Sequence, residues 1–392
     1  MNKKVLTTAL LATFASAAHA QSSVTLYGII DAGISYVNHS GTNSQKLFKY
    51  DDGVAQGSRF GLRGSEDLGG GLKAIFTLEG GFNSGTGVSG QGNTLFGRQA
   101  FVGLAKDGIG SVTFGRQYSL STDVLGGAYS NGGNTVVGNY AYHFNDVDQL
   151  TSSRINNSVK FSSANFYGVT FGALYGFSNQ AGSFAGAPPT GTAATPTAGS
   201  SRTYSFGANY AYGPFGLGAA YTDIKFPSQS VPAFSTNLAN FNPGTAFGPG
   251  VLRDLRTFGV GGRYTFGPAS VWALYTNTLF SPVSLASSAY TAVDVGGKYA
   301  LTQALSLQLA YTYSRITGAN ANGHWNQING AVDYALSKRT DVYFLTAFQD
   351  ASGRAGNGNL QASIGDSNSF FGNSGNNAQN QLAFRVGLRH KF

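Results

Sequence analysis

Cysteine is absent from the 392 residues, so no disulfide braces this chain and no thiolate can hold a metal. Charge is scarce too, at 11% of residues, with Lys+Arg 25 against Asp+Glu 17. That modest excess comes without a basic helix or an interleaved basic-aromatic run, which argues against nucleic acid as a partner. No stretch reaches about 18 consecutive apolar residues, so a membrane-spanning helix is excluded. Any insertion into a membrane must be made by strands. What the chain has in quantity is glycine (56), phenylalanine (29) and tyrosine (21).

The N-terminus reads as a secretory signal peptide over residues 1–20. Lys3 and Lys4 form the positive start, a mostly apolar run follows, and Ala18-His19-Ala20 fits the cleavage site. The mature chain is then expected to be one domain, residues 21–392. An exported protein of this length without cysteine needs another source of rigidity, and a large hydrogen-bonded barrel supplies it.

Beyond the leader the chain repeats strands of roughly ten residues with period-two alternation. Val24, Leu26, Ile30, Ala32, Ile34 and Tyr36 share one face, and Thr25, Tyr27, Asp31 and Ser35 the other. Phe60 and Leu62 oppose Arg59, Arg63 and Ser65; Leu72, Ala74, Phe76 and Leu78 oppose Lys73, Thr77 and Glu79. Connectors alternate short and long. Short turns fall at residues 66–71, 106–110, 163–167, 212–215, 266–269, 300–304 and 336–339. Long ones fall at 38–58, 83–93, 118–152, 179–201, 226–253, 280–288, 317–324 and 350–381. This pattern predicts an all-β fold, a 16-stranded antiparallel transmembrane β-barrel with its polar face lining water. Residues 181–200 and 357–380 are low in complexity and read as solvated, without secondary structure.

The connector 118–152 is too long for a simple turn and carries Asp123, His143, Asp146 and Asp148. It is expected to fold into the lumen and narrow it; the alternative is a mobile surface loop. The final strand alternates Phe384, Val386, Leu388 and Phe392 with Arg385, Gly387, Arg389 and Lys391. Its terminal Phe392 resembles the recognition signal by which outer-membrane barrels meet their assembly machinery.

Several motifs carry a wider resemblance: Val24-Thr25-Leu26-Tyr27-Gly28; Ser58-Arg59-Phe60-Gly61-Leu62-Arg63-Gly64-Ser65-Glu66-Asp67-Leu68-Gly69-Gly70-Gly71-Leu72; Gly97-Arg98-Gln99-Ala100-Phe101-Val102-Gly103-Leu104; Phe114-Gly115-Arg116-Gln117; and Arg154-Ile155-Asn156-Asn157-Ser158-Val159. The chain resembles the general porins of Gram-negative outer membranes, nearest the β-proteobacterial branch. The resemblance implies a homotrimer in outer-membrane lipid, one aqueous pore per subunit, and a third loop inserted as an eyelet. It implies passive diffusion of small ions and solutes, with no cofactor. Wall arginines of the eyelet fall on Arg59, Arg98 and Arg154. Strand phase agrees at Arg59 and at Arg154, which groups with Asn156, Ser158 and Lys160. It is ambiguous at Arg98, whose strand-mates Ala100, Val102 and Leu104 are apolar. Arg116 shares the phase of Val112 and Phe114, so it is expected away from the lumen, and the resemblance implies a place near the subunit contact. Two departures stand out. Ile29 takes the place of a lysine found in enterobacterial relatives, and the acidic Pro-Glu-Phe-Gly motif of the inserted loop is missing. Asp123, Asp146 and Asp148 are the positional candidates for the acidic side; without them the constriction is more basic, and an anion preference is expected.

Two other classes compete. A barrel enzyme needs a fixed Ser–His or His–carboxylate set, and the mature histidines are His39, His143, His324 and His390. His143 near Asp146 and Asp148 is read as polar decoration of a solvated loop, not a dyad or metal site. No G-x-S-x-G, H-E-x-x-H or Cys/His spacing occurs. A soluble glycan-binding β-protein is opposed by apolar outer faces on nearly every strand. Aromatics such as Tyr27 are too scattered to name a sugar track.

Overall fold

The computed structural model describes residues 23–178, 190–192, 195–197, 202–226, 252–282, 286–318, 321–365, 371–375 and 378–392. The expected leader and most of residues 181–200 lie outside the described residues. In chain order the strands are β1 (Ser23–Ser40), β2 (Gln45–Asp52), β3 (Arg59–Gly69), β4 (Leu72–Gly81), β5 (Gln99–Lys106), β6 (Gly110–Tyr118), β7 (Arg154–Ser163) and β8 (Val169–Gly176). A small separate hairpin follows, β9 (Thr190–Thr192) and β10 (Thr195–Thr197). Then come β11 (Arg202–Tyr212), β12 (Phe215–Lys225), β13 (Leu252–Phe266), β14 (Ala269–Pro282), β15 (Ser288–Ala300) and β16 (Leu305–Thr317). The last are β17 (Ala321–Ala335), β18 (Thr340–Ala355), β19 (Gly358–Asn359) and β20 (Asn380–Lys391). Neighbours pair antiparallel around a closed 16-strand barrel. Here β2 is an outer extension in line with β3, and β19 is a two-residue addition to β18.

Closure lets every wall strand satisfy its backbone from both sides, the condition for standing in lipid. The seam joins first strand to last, from Ile29↔Lys391 to Val37↔Ala383. It ends on a reciprocal pair, Gly28 N–H to Phe392 C=O at 3.0 Å and Phe392 N–H to Gly28 C=O at 3.1 Å. Gly28 is required there, because a β-carbon would lie 2.2 Å from Phe392 Cζ. Deleting Phe392 removes both bonds and the terminal ring, and is expected to lower outer-membrane yield in a fractionation assay. Wild-type yield would show that the last strand needs neither.

The alternation sets the faces. Val24, Leu26 and Ile34 are more than half exposed to the outside, while Asp31 and Ser35 are fully buried within. Tyr212, Phe215, Tyr264, Phe266, Tyr299 and Tyr334 stand exposed near the short-turn rim, the place of an interfacial aromatic girdle. Several expected loops turn out to be partly strand. Residues 38–58 contain the end of β1 and all of β2, and residues 317–324 shrink to the link between β16 and β17.

The last long connector departs further from its solvated reading. Leu360, Ala362, Ile364 and Phe371 are buried, and the Trp325 indole N–H donates to the Gln361 carbonyl at 2.9 Å. Apolar residues at alternate positions, spaced out in a Gly/Asn/Ser-rich sequence, are enough to pin it inside the mouth. All three apolar clusters of the barrel contain residues of the connector between β6 and β7. Among the described residues, the interior is therefore apolar mainly where that loop or the last connector covers the wall.

Candidate pore constriction

Residues 119–153 turn inward from the end of β6 and return to β7, crossing the lumen against the wall. Short helical turns at Ser121–Gly126, Asn131–Asn134, Gly138–Tyr140 and Phe144–Asp146 satisfy part of its backbone. The wall satisfies much of the rest. Leu120 N–H donates to Ser205 Oγ at 2.9 Å, and Val136 N–H to Gln308 Oε1 at 2.7 Å. Gln327 Nε2 donates to the Tyr140 carbonyl at 2.6 Å, and between side chains Gln149 Nε2 donates to Thr257 Oγ1 at 2.9 Å. Between β2 and β3 the wall itself breaks to receive the loop: Asn139 N–H reaches the Val54 carbonyl at 2.7 Å. Gly138, at φ 55°, lies so close to that carbonyl that a β-carbon would meet it at 2.0 Å.

Between loop and wall an opening of about 450 Å³ remains. Arg59, Glu79, Arg98, Tyr118 and Arg389 line its wall side, and Thr122, Asp123, Tyr142 and Thr151 its loop side. Glu79 holds the two arginines: Arg98 Nε is 2.7 Å from Oε1, and Arg59 Nε is 3.8 Å from Oε2. The Tyr27 hydroxyl donates to the same carboxylate at 2.9 Å. Arg98 reaches the lumen although the residues after it alternate the other way. It precedes β5 on a bend, so strand phase does not bind it.

Arg154 is placed differently from its expected phase. A bulge at Asn157, φ 49°, shifts the pairing from Gly115↔Ser158 to Gln117↔Ile155. Ile155 thereby goes beneath the loop, and Arg154 does not share a face with Ser158. It is 2% exposed, with its guanidinium 5.1 Å from the centre of the Tyr118 ring. Arg154 thus stands one layer behind the opening, with Nε and Nη2 lacking hydrogen-bond acceptors among the described residues. Arg116 lies on the outward side with the exposed Val112 and Phe114, donating from Nε to the Gly97 carbonyl at 2.8 Å and from Nη1 to Asn156.

The three candidate aspartates separate. Asp123 comes to the opening and is paired with Lys160. Asp146 is buried inside the loop, accepting from the N–H groups of Leu150 (2.9 Å), Thr151 (3.0 Å) and Ser152 (2.9 Å). Asp148 is fully buried against His143 and Thr276. Neither meets pore water, because each saturates donors that the folded loop would otherwise leave orphaned. Sequence reasoning passes over Glu79, Arg389 and Asp294. The first two stood in the polar phase of their strands and so were within reach of it.

Asp294, on β15, joins both arms of the loop. It accepts from Asn131 N–H at 2.8 Å and Asn131 Nδ2 at 2.9 Å, and lies 3.0 Å from His143 Nε2. His143 Nδ1 contacts Asp148, so a fully buried imidazole sits between two carboxylates. His143 is not in a solvated loop as expected; it is a latch. Burial opposes its charge, but Asp148 and Asp294 outweigh that and hold its pKa well above the ordinary value. With its folded value raised, the charged imidazole adds stability that is lost as pH rises through that raised value. Removing one partner of such a buried pair costs roughly 3–5 kcal/mol. Asp294→Asn is therefore expected to give noisy, flickering single-channel current at pH 7, whereas the parent recording is quiet. Equal noise in both would remove the latch role.

A closed strand barrel with an apolar outer face, an aromatic rim and a loop-narrowed aqueous interior defines a membrane channel. Residues 7–354 match the sequence profile of the Gram-negative porins, and the chain belongs to that family. An outer membrane porin protein of Bordetella pertussis is 36% identical over 290 residues, covering 71% of this chain and 70% of its own. Its source agrees with the β-proteobacterial branch that the N-terminal motifs resemble. An anion-selective porin from Comamonas acidovorans superposes with a TM-score of 0.74 at 24% identity, covering 95% of this chain and 100% of that one. OmpT of Vibrio cholerae in its trimer form gives 0.63 at 16% identity, covering 95% and 99%. The chain is an outer-membrane porin, a water-filled channel for passive diffusion of small hydrophilic solutes and ions.

Proposed function

We propose that this channel prefers small anions. The observation that supports the preference is the charge balance at the narrowed opening. Arg59 and Arg98 share one carboxylate, Glu79. Asp123 is offset by Lys160, and Arg389 by Asp341 at 3.0 Å. Arg154, behind Tyr118, has no carboxylate at ion-pair distance among the described residues. The balance is positive on both layers. A narrow passage with low-dielectric walls concentrates the field of such fixed charges, raising anion occupancy. The anion-selective Comamonas porin agrees with this reading. Reversal potentials across a salt gradient test it: the expected sign is that of an anion-preferring pore, and cation preference overturns it.

The working unit proposed is a homotrimer in outer-membrane lipid, as the trimer form of OmpT suggests, with Arg116 on the outward face at the subunit contact. Phe392 is the proposed signal to the assembly machinery, and residues 1–20 the proposed leader. The chain is proposed to act as a channel and not as an enzyme. His143 is locked in its latch, His39 Nδ1 lies 3.0 Å from the Asn380 carbonyl, and His324 packs on Tyr313. His390 Nδ1 lies 2.9 Å from Thr340 Oγ1, exposed at the short-turn rim, with no carboxylate in that contact.

A further inference from the structure

The first arm of the inserted loop presses apolar side chains against the wall at places where the wall has no side chains. Leu120, Val124, Leu125 and Tyr129 project from the turn Ser121–Gly126 and its flanks. Under them lie Gly172 on β8, Gly207 on β11, Gly218 on β12, and Gly259 and Gly261 on β13, four strands adjacent in the barrel. A β-carbon at any of them would meet a loop side chain at under 3.0 Å, so the loop would have to shift, least easily at Gly261, where the atom met is itself a β-carbon. One at Gly172 would lie 2.9 Å from Leu120 Cδ1, and one at Gly207 2.9 Å from Val124 Cγ2. At Gly218 the distance to Tyr129 Cε2 would be 2.5 Å, at Gly259 to Leu125 Cδ1 2.6 Å, and at Gly261 to Tyr129 Cβ 2.5 Å.

Glycine inside a strand gives up packing and β-propensity, and often marks close approach by another segment. Here the approaching segment is present. Just beyond the glycines the same strands offer hydroxyls instead: Ser205 on β11 accepts from Leu120 N–H, and Thr222 on β12 bonds Ser121 Oγ at 2.7 Å. The hydroxyls fix the loop's register, and the missing β-carbons fix how deeply it sinks. Whatever depth the loop gains in the wall it does not take from the passage on its other side.

We infer that these glycines are positioning residues for permeation, with Gly218 and Gly261 setting the width of the aqueous passage through Tyr129. They line no part of the charged opening, so the effect is on size and not on ion preference. Asp294, two strands from Gly261 in the same register row, tethers the loop through Asn131 and His143 beside this seat, so a filled seat tilts the arm inward about that anchor and does not release it.

The test is single-channel conductance of purified protein in planar bilayers. Gly218→Val suits a strand and is expected to lower conductance roughly 1.5-fold or more, with the reversal potential unchanged. Adding Tyr129→Ala removes the clashing ring, and the double variant is expected to return to the parental conductance. Should the valine variant fail to assemble, Gly218→Ala and Gly218→Ala with Tyr129→Ala carry the same comparison, because alanine at 129 removes the ring atom that the new β-carbon meets. Unchanged or higher conductance in the single glycine variant overturns the inference, as does a double variant that stays low. Failure of the anion preference would show separately, in the sign of the reversal potential.

Discussion

Replacing Arg59, Arg98 and Arg154 together with glutamine is expected to abolish most of the anion preference while leaving the barrel intact. Arginine stays ionised at any working pH, so this charge does not titrate away. Two unit charges roughly 8 Å apart at an effective dielectric near 20 interact by about 2 kcal/mol. At physiological salt the Debye length is about 8 Å, so the field inside the opening is only partly screened. The triple variant leaves Glu79 without an arginine partner, its carboxylate keeping the Tyr27 hydroxyl as a donor, while Asp123 stays paired with Lys160 and Arg389 with Asp341. Local charge then turns from positive to negative, and the anion/cation permeability ratio is expected to fall several-fold. In molar salt, where the Debye length is about 3 Å, the difference between variant and parent shrinks. Arg154→Gln alone separates the two layers. Stacked on Tyr118 and lining no part of the opening, Arg154 contributes at longer range, so a smaller change is expected than from Arg59→Gln. A triple variant whose reversal potential matches the parent defeats the charge reading altogether.

The barrel was legible because its rules are local. Alternation at Val24 to Tyr36 and at Phe384 to Phe392 depends only on one face meeting lipid and the other water. Short and long connectors then fix the strand number and the rim. Arg59 was placed by the same rule. Phase arguments broke where the backbone breaks phase. The bend at Arg98 brings a side chain to the lumen that alternation leaves ambiguous, and the Asn157 bulge takes Arg154 out of register with Ser158. Neither irregularity has a strong sequence signature.

Long-range seats were harder still. Asp294 lies far from His143 and Asn131 in sequence, and only the folded barrel brings them together. Composition misled at the last loop, where Leu360, Ala362 and Ile364 are too few to raise hydrophobicity yet enough to bury it. The inward apolar residues Leu174, Ile224, Leu255 and Leu274 were a usable signal. On a strand whose inner face should meet water, each marks a point where something else covers it.

The largest change in pore size is expected from shortening the loop. Deletion within residues 126–138 removes Tyr129 from its seat and Val136 and Val137 from their contact with Val54. It touches no barrel strand, so the backbone ladder that keeps the protein in lipid remains whole. Asp294 loses Asn131 if the deletion includes it but keeps His143 and Thr312, and His143 keeps Asp148, so no buried ion is stranded. The excised arm crosses the narrowest part of the lumen, where resistance is concentrated, so conductance is expected to rise roughly two-fold or more. Anion preference is expected to weaken at the same time, because Arg59 and Arg98 then face a wider, better-screened column of water. The two readouts constrain each other. Higher conductance with unchanged selectivity would place the selective charges away from the loop's passage. Unchanged conductance would mean that residues 126–138 do not narrow the pore, and the constriction drawn between Arg59, Arg98 and the loop would have to be abandoned.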